Sequence, residues 1–177
     1  VRTGQYPESI TLVDNITISG VGADLVILSG SGGNIITGAD GCIISGITVG
    51  GPHSEGSFGY FSLDAEDISI EKCVFTGTIY GIQGGGYDNL NTVIKNNDFF
   101  NFIGAAIFFS SNANPIIKNN IFQENIYAVK LYGNAEYMAT IDNNLFFNND
   151  TDLYGEIDFG ADNLTDTDPI FDADGIH

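Results

Sequence analysis

Two histidines and five Lys or Arg in 177 residues leave few side chains able to do acid–base or nucleophilic chemistry. The richest candidate is the stretch 50–60, Gly-Gly-Pro-His-Ser-Glu-Gly-Ser-Phe-Gly-Tyr. It carries His53, Glu55 and Tyr60, with Asp64 and Glu66 just beyond. A histidine beside a carboxylate can act as general acid and base. No second motif converges on this loop, so its plainer reading is a solvated polar protrusion. His177 is terminal and is set aside. Paired carboxylates are the minimum for glycoside hydrolysis. Asp64 and Asp88 lie one repeat apart and form one such pair, but chance pairs are expected among 23 acids.

Hard cations want several oxygen ligands. Glu156, Asp166, Asp168, Asp172 and Asp174 cluster in a Gly-containing acidic end and are the candidate calcium ligands. Their spacing completes no known calcium loop. No other cofactor is called for. Arg2 is the sole arginine, and Lys130 is expected on an outward strand face. Tyr60, Phe108 and Tyr132 are expected on that face too, where exposed rings can stack on sugars or dock a protein. Asn15, Asn149 and Asn163 open Asn-x-Thr sequons, which matter only in a host that glycosylates. Cys42 and Cys73 make neither a disulfide framework nor a zinc signature. They differ by five residues in repeat position, about 16 Å of strand, too far for a disulfide between adjacent repeats. Cys42 reads as a small buried residue, and Cys73 as an inert ladder substitute in preference to an intermolecular thiol.

The elements that must carry these residues are short strands. Ile, Val, Phe, Tyr and Thr fill the apolar runs, Gly and Asn punctuate them, and no helical periodicity is sustained. Ile94-Lys-Asn-Asn-Asp-Phe99, Ile117-Lys-Asn-Asn-Ile-Phe122 and Ile141-Asp-Asn-Asn-Leu-Phe146 nearly copy one another. Ile70, Ile44 and Ile18 extend the series backwards and Leu164 forwards, with a period of 23–26 residues. A unit this short cannot bury its apolar face alone, so stacking predicts an all-β parallel solenoid of about seven coils, one domain over 1–177.

Residues at equal places in successive coils should stack. The isoleucine anchors with Leu164 should point inward, and so should Val49, Phe75, Phe99, Phe122 and Phe146. Asn97, Asn120 and Asn144 should form an asparagine ladder, with Cys73 and Ile47 in the same column before them. The column after the anchors sets Glu71 against Lys95 and Lys118 against Asp142, facing water. On the second strand, Ser62, Gln83, Phe108 and Lys130 should point outward.

The opening Gly4-Gln-Tyr-Pro-Glu-Ser-Ile10, the Ile18-Ser-Gly-Val-Gly-Ala-Asp24 segment, the Ile-x-Asn-Asn-x-Phe repeats and the closing Asp168-Pro-Ile-Phe-Asp-Ala173 carry a family likeness. The sequence resembles the right-handed parallel β-helix superfamily, the pectate-lyase-like folds. Within it, it is most similar to surface and secreted β-helix proteins of bacteria and archaea. The resemblance implies a single-stranded right-handed parallel β-helix. It implies little about activity, because the fold hosts lyases, hydrolases, epimerases, tailspikes and non-catalytic surface proteins. Polysaccharide lyases of this kind use acidic calcium ligands with an Arg or Lys base, and this chain is poor in such bases.

Charge narrows the partners. Twenty-three acids against five bases give a net charge of −18. Nucleic acid is excluded as a partner and anionic membranes are disfavoured, because both need basic side chains. Polyanionic polysaccharides could bind only through bridging cations. No apolar run reaches the length of a membrane helix. Residues 148–177 hold nine acids and no Lys or Arg, so half the net charge sits at one end of the rod. With Val1 in place of an initiator Met, the chain reads as excised from a longer precursor. The leading expectation is a non-catalytic extracellular solenoid: a structural or adhesive module of a cell surface, filament or secreted assembly, partnered by itself or by other surface proteins. The alternatives are a carbohydrate-active enzyme (lyase, hydrolase or epimerase, whole or in part) and a sugar-binding module.

Overall fold

A computed structural model describes every residue except 31–32, 51–57, 78, 86–90, 111–112, 133–138, 156–157, 161 and 170–177. Of Leu63, Asp158 and Phe159 it describes the backbone. All regular elements of the described residues are strands. The chain opens with β1 (Gly4–Tyr6), β2 (Ile10–Thr11), β3 (Thr17–Ser19), β4 (Val26–Leu28) and β5 (Asn34–Thr37). Five regular turns follow. They are β6 (Ile43–Ser45), β7 (Thr48–Gly50), β8 (Phe58–Leu63); β9 (Ser69–Glu71), β10 (Val74–Thr76), β11 (Tyr80–Gly85); and β12 (Val93–Lys95), β13 (Asp98–Phe100), β14 (Ala105–Phe109). Then come β15 (Ile116–Lys118), β16 (Ile121–Gln123), β17 (Tyr127–Leu131); and β18 (Thr140–Asp142), β19 (Leu145–Phe147), β20 (Thr151–Tyr154). Short β21 (Asp158–Phe159) and β22 (Leu164–Thr165) close it.

Every third strand pairs in parallel. Sheet A is β1-β4-β7-β10-β13-β16-β19-β22, sheet B is β2-β5-β8-β11-β14-β17-β20, and sheet C is β21-β18-β15-β12-β9-β6-β3. Three parallel sheets wound in this order make a β-solenoid. The expected seven coils counted its irregular ends. About five turns are regular, sharing a two-residue bend between sheets C and A, whereas the link from β3 to β4 is long and β21 and β22 are cut short.

The first residue of that bend has positive φ in all five turns: Gly46 (64°), Lys72 (54°), Asn96 (56°), Asn119 (54°) and Asn143 (55°). Gly and Asn tolerate this left-handed conformation best, which explains the Asn-Asn pairs. The second residue is the ladder. Asn97 donates its side-chain amide to the Ile70 carbonyl at 3.0 Å, and Asn120 to the Ile94 carbonyl at 3.0 Å. The Oδ1 of Asn120 accepts the backbone N–H of Asn97 at 3.0 Å, and that of Asn144 accepts the N–H of Asn120 at 2.9 Å. All three are buried and fully hydrogen-bonded, as burial of a polar group requires.

Inside the rod the anchors stack in register from Ile18 through Ile44, Ile70, Ile94 and Ile117 to Ile141. The rings of Phe75, Phe99, Phe122 and Phe146 stack nearly parallel at 5.1 Å per step. Outside, Lys95 meets Glu71 at 2.9 Å and Lys118 meets Asp142 at 3.1 Å.

Leu164 departs from expectation. The last turn is shortened, so Phe159 pairs with Ile141, and Leu164 pairs with Leu145 on the outer face of sheet A, 53% exposed. The ladder also runs further than expected, because Asn163 Oδ1 accepts the N–H of Asn144 at 2.9 Å.

Candidate functional site

The outer face of sheet B gathers aromatic side chains. Parallel pairing sets Phe61, Gln83, Phe108, Lys130 and Tyr154 in one outward column. A neighbouring column holds Phe58, Tyr80 and Tyr127, and Tyr132 follows β17. Their rings touch in series. Phe61 lies 6.3 Å from Phe58, which stacks on Tyr80 at 5.5 Å and 5°. Tyr80 stacks on Phe108 at 5.2 Å. Phe108 then meets Tyr132 edge-on at 5.8 Å, Tyr132 meets Tyr154 at 5.7 Å, and Tyr154 meets Tyr127 at 5.6 Å. Seven rings therefore form one strip along the rod. Lys130 ends among the last three, its Nζ 4.5 Å from the centroid of Tyr127 and 5.3 Å from those of Tyr132 and Tyr154. Burial works to lower the Lys130 pKa, but contact with the Tyr132 hydroxyl and electrostatic attraction to the neighbouring tyrosines outweigh it, and the net shift is upward.

The two halves of the strip differ chemically. Phe58, Tyr80 and Phe108 are stacked, each ring set against the next one's face. Tyr132 and Tyr154 stand edge-on to their neighbours and are 45% and 43% exposed, so part of each ring is accessible to a ligand.

Of the rings expected outward, Phe108 and Tyr132 belong to this strip and Tyr60 does not. The pairing of β8 with β11 sets Tyr60 opposite Ile82 and Phe61 opposite Gln83, one place from the expected alignment. A one-residue slip exchanges faces. Tyr60 is therefore inward and 1% exposed, and Ser62 is buried, while Phe61 takes the outward place. Gly38 gives the Tyr60 phenol its room: a Cβ there would meet the hydroxyl oxygen at 1.8 Å. Burial pushes the Tyr60 pKa well above its ordinary value. Ser62 pulls slightly the other way without a geometrically sound hydrogen bond to the phenol.

A second feature lies on the outer face of sheet A. An open groove of about 730 Å³ has Ile27, Val74 and Ile121 on its floor, with Asp24, Lys72, Asp98 and Glu124 among its lining. Lys72 is the outlier of the positive-φ corner column, a long side chain where the other turns use Gly or Asn. The sequence signal for this groove was available, since Lys72 occupies the first bend place of its repeat.

His53, Glu55 and Asp88 lie outside the described residues, as do Glu156, Asp172 and Asp174. Asp64 is an exposed corner residue at φ 50° whose N–H donates to the Gly85 carbonyl at 3.1 Å. Asp166 and Asp168 are exposed, and no group of three potential metal ligands forms among the described residues. Asn15 is exposed. Asn149 and Asn163 are half-buried, and their amide nitrogens donate to the carbonyls of Phe122 (3.0 Å) and Ile141 (2.7 Å). Asn149 belongs to a second ladder that sequence reading missed. Asn125 and Asn149 there accept the N–H groups of Phe102 and Asn125, each at 3.1 Å, at the bend from sheet A to sheet B. Cys42 and Cys73 are both free and buried.

A family model described as "Right handed beta helix region" matches residues 5–169. Neither the curated proteins nor the solved structures gave a match.

Proposed function

The chain belongs to the right-handed β-helix family, and from that footing we propose a non-catalytic β-solenoid, a structural or adhesive module of an extracellular surface, filament or secreted assembly. Its contact face is the outer side of sheet B. The observation that carries this is the strip of seven contacting rings ending in Lys130, on a chain whose net charge is otherwise strongly acidic. Solvated strand faces favour charged and small polar residues, and contiguous aromatic surface marks interaction sites. Partners are copies of this chain, other surface proteins, or a polysaccharide seated on the exposed rings of Tyr132 and Tyr154. Phe108→Ala breaks the strip at its middle. It should abolish self-association seen by light scattering, or glycan-array binding, whichever the wild type displays. A wild type that stays monomeric with and without calcium and binds no glycan would sink this reading.

A second reading is favoured by the groove on sheet A. Lys72 shares the groove with Asp24, Asp98 and Glu124, which offers a base and acids for a carbohydrate-active enzyme. Turnover of any neutral or acidic polysaccharide, lost in Lys72→Ala, would establish it over the first reading.

A further inference from the structure

The geometry points to a receptor site for an organic ammonium ion in the tyrosine box of Tyr127, Tyr132 and Tyr154, with Lys130 as its built-in occupant. From Phe58 through Tyr80 to Phe108 the rings stack, at 5° and 24°. Around Lys130 the rings instead turn against one another, Tyr132 to Tyr154 at 80° and Tyr127 to Tyr154 at 73°. Rings set edge-on wall a space rather than close it. Their π faces attract a cation, and Lys130 Nζ lies within 4.5–5.3 Å of all three centroids, inside the range of the interaction. Both ion pairs between described residues are made by other lysines, Lys95 and Lys118. The Lys130 head group is thus held by the three rings and the Tyr132 hydroxyl and lies at the surface.

Charge decides which ligand such a box takes. The chain carries −18, so its long-range field concentrates cations and repels anions. An anion seeking Lys130 would work against that field. A cation would work with it, and needs only to displace one flexible lysine chain from an exposed cation–π contact. That contact is worth a two- to fivefold change in affinity (about 0.5–1 kcal/mol). Lys130 then acts as a weak plug, setting a threshold for the incoming ammonium group. This rests on the proposed binding role only in using the same face.

The test is titration with tetramethylammonium chloride, followed by the tyrosine ring signals in NMR. A lysine-containing peptide forms a second arm, separating a free ammonium ion from one carried on a polypeptide. Lys130→Met should bind tetramethylammonium about two- to fivefold more tightly than wild type. Lys118→Met removes the same unit charge from sheet C and should leave binding unchanged. Tyr132→Ala combined with Lys130→Met should lose it. Circular dichroism of each variant checks that the solenoid is intact, and Lys130→Gln provides a second opening of the box should the Met variant not fold. Equal affinities in wild type and both opened variants would overturn the inference. So would an acetate or galacturonate site that Lys130→Met abolishes. Partner binding that survives in Lys130→Met but is lost in Phe108→Ala, with no ammonium binding in either, would sink this inference and leave the proposed function standing.

Discussion

Asn120→Ala removes the central member of the main asparagine ladder, and its cost follows from the partners left behind. The backbone N–H of Asn97 has Asn120 Oδ1 as its acceptor at 3.0 Å, and Asn97 is buried. With that acceptor gone the N–H is orphaned, at about 1–3 kcal/mol. The Ile94 carbonyl loses the amide at 3.0 Å, adding about 1 kcal/mol. The total is about 2–4 kcal/mol. With a urea slope of about 2 kcal/mol per molar, the unfolding midpoint should fall by about 1–2 M. The assay is urea denaturation followed by circular dichroism, with Asn163→Ala as the internal comparison. Asn163 makes the same kind of bonds at the half-buried end of the ladder. Water can replace them there, so that variant should lose about 1 kcal/mol. Asn120→Asp keeps the acceptor but sets a carboxylate against the Asn144 Oδ1, 3.0 Å from the original amide nitrogen. Burial raises the pKa of that carboxyl in the folded state, so its penalty is full above the folded value and shrinks as acid protonates it. Equal losses for Asn120→Ala and Asn163→Ala, or a loss below about 1 kcal/mol at Asn120, would refute the argument that the ladder satisfies buried backbone groups.

Tyr60→Phe deletes a buried hydroxyl that makes no hydrogen bond, so it should be neutral or stabilising by up to about 1 kcal/mol in thermal unfolding; a clear loss would mean the phenol has a partner. Burial pushes the Cys73 thiol up to about 12, so at pH 8 a thiol reagent should label it only after denaturant is added. Burial and the charge of Asp166 raise the Asp152 pKa, against the lowering effect of the Asn149 amide at 3.0 Å. The folded value exceeds the unfolded one, so ionised Asp152 is a burden at neutral pH that vanishes as acid protonates it. Asp152→Asn should therefore raise the melting temperature at pH 7, with the gain fading as pH falls through the raised folded value and gone once pH is below the ordinary carboxyl value.

The sequence determined the frame of this molecule because stacking makes each column a chemical copy of itself. Isoleucine over isoleucine, phenylalanine over phenylalanine and lysine over glutamate fix the register of sheets A and C. The same logic marks Asn97, Asn120 and Asn144 as a ladder, since a buried amide must repeat its partners from turn to turn. It falters where the period does. The shortened last turn brought Phe159 rather than Leu164 over Ile141 and placed Asn163 in the ladder. In sheet B the strands are longer and their connections vary, so alternation alone could not choose between two registers one residue apart in β8. Pairing with β11 chose the one that buries Tyr60 over Gly38 and turns Phe61 outward. The aromatic strip is likewise a product of tertiary structure. Phe58, Tyr80, Phe108, Tyr127, Tyr132 and Tyr154 are scattered over a hundred residues, and only winding the chain brings their rings within 6 Å and closes three of them around Lys130.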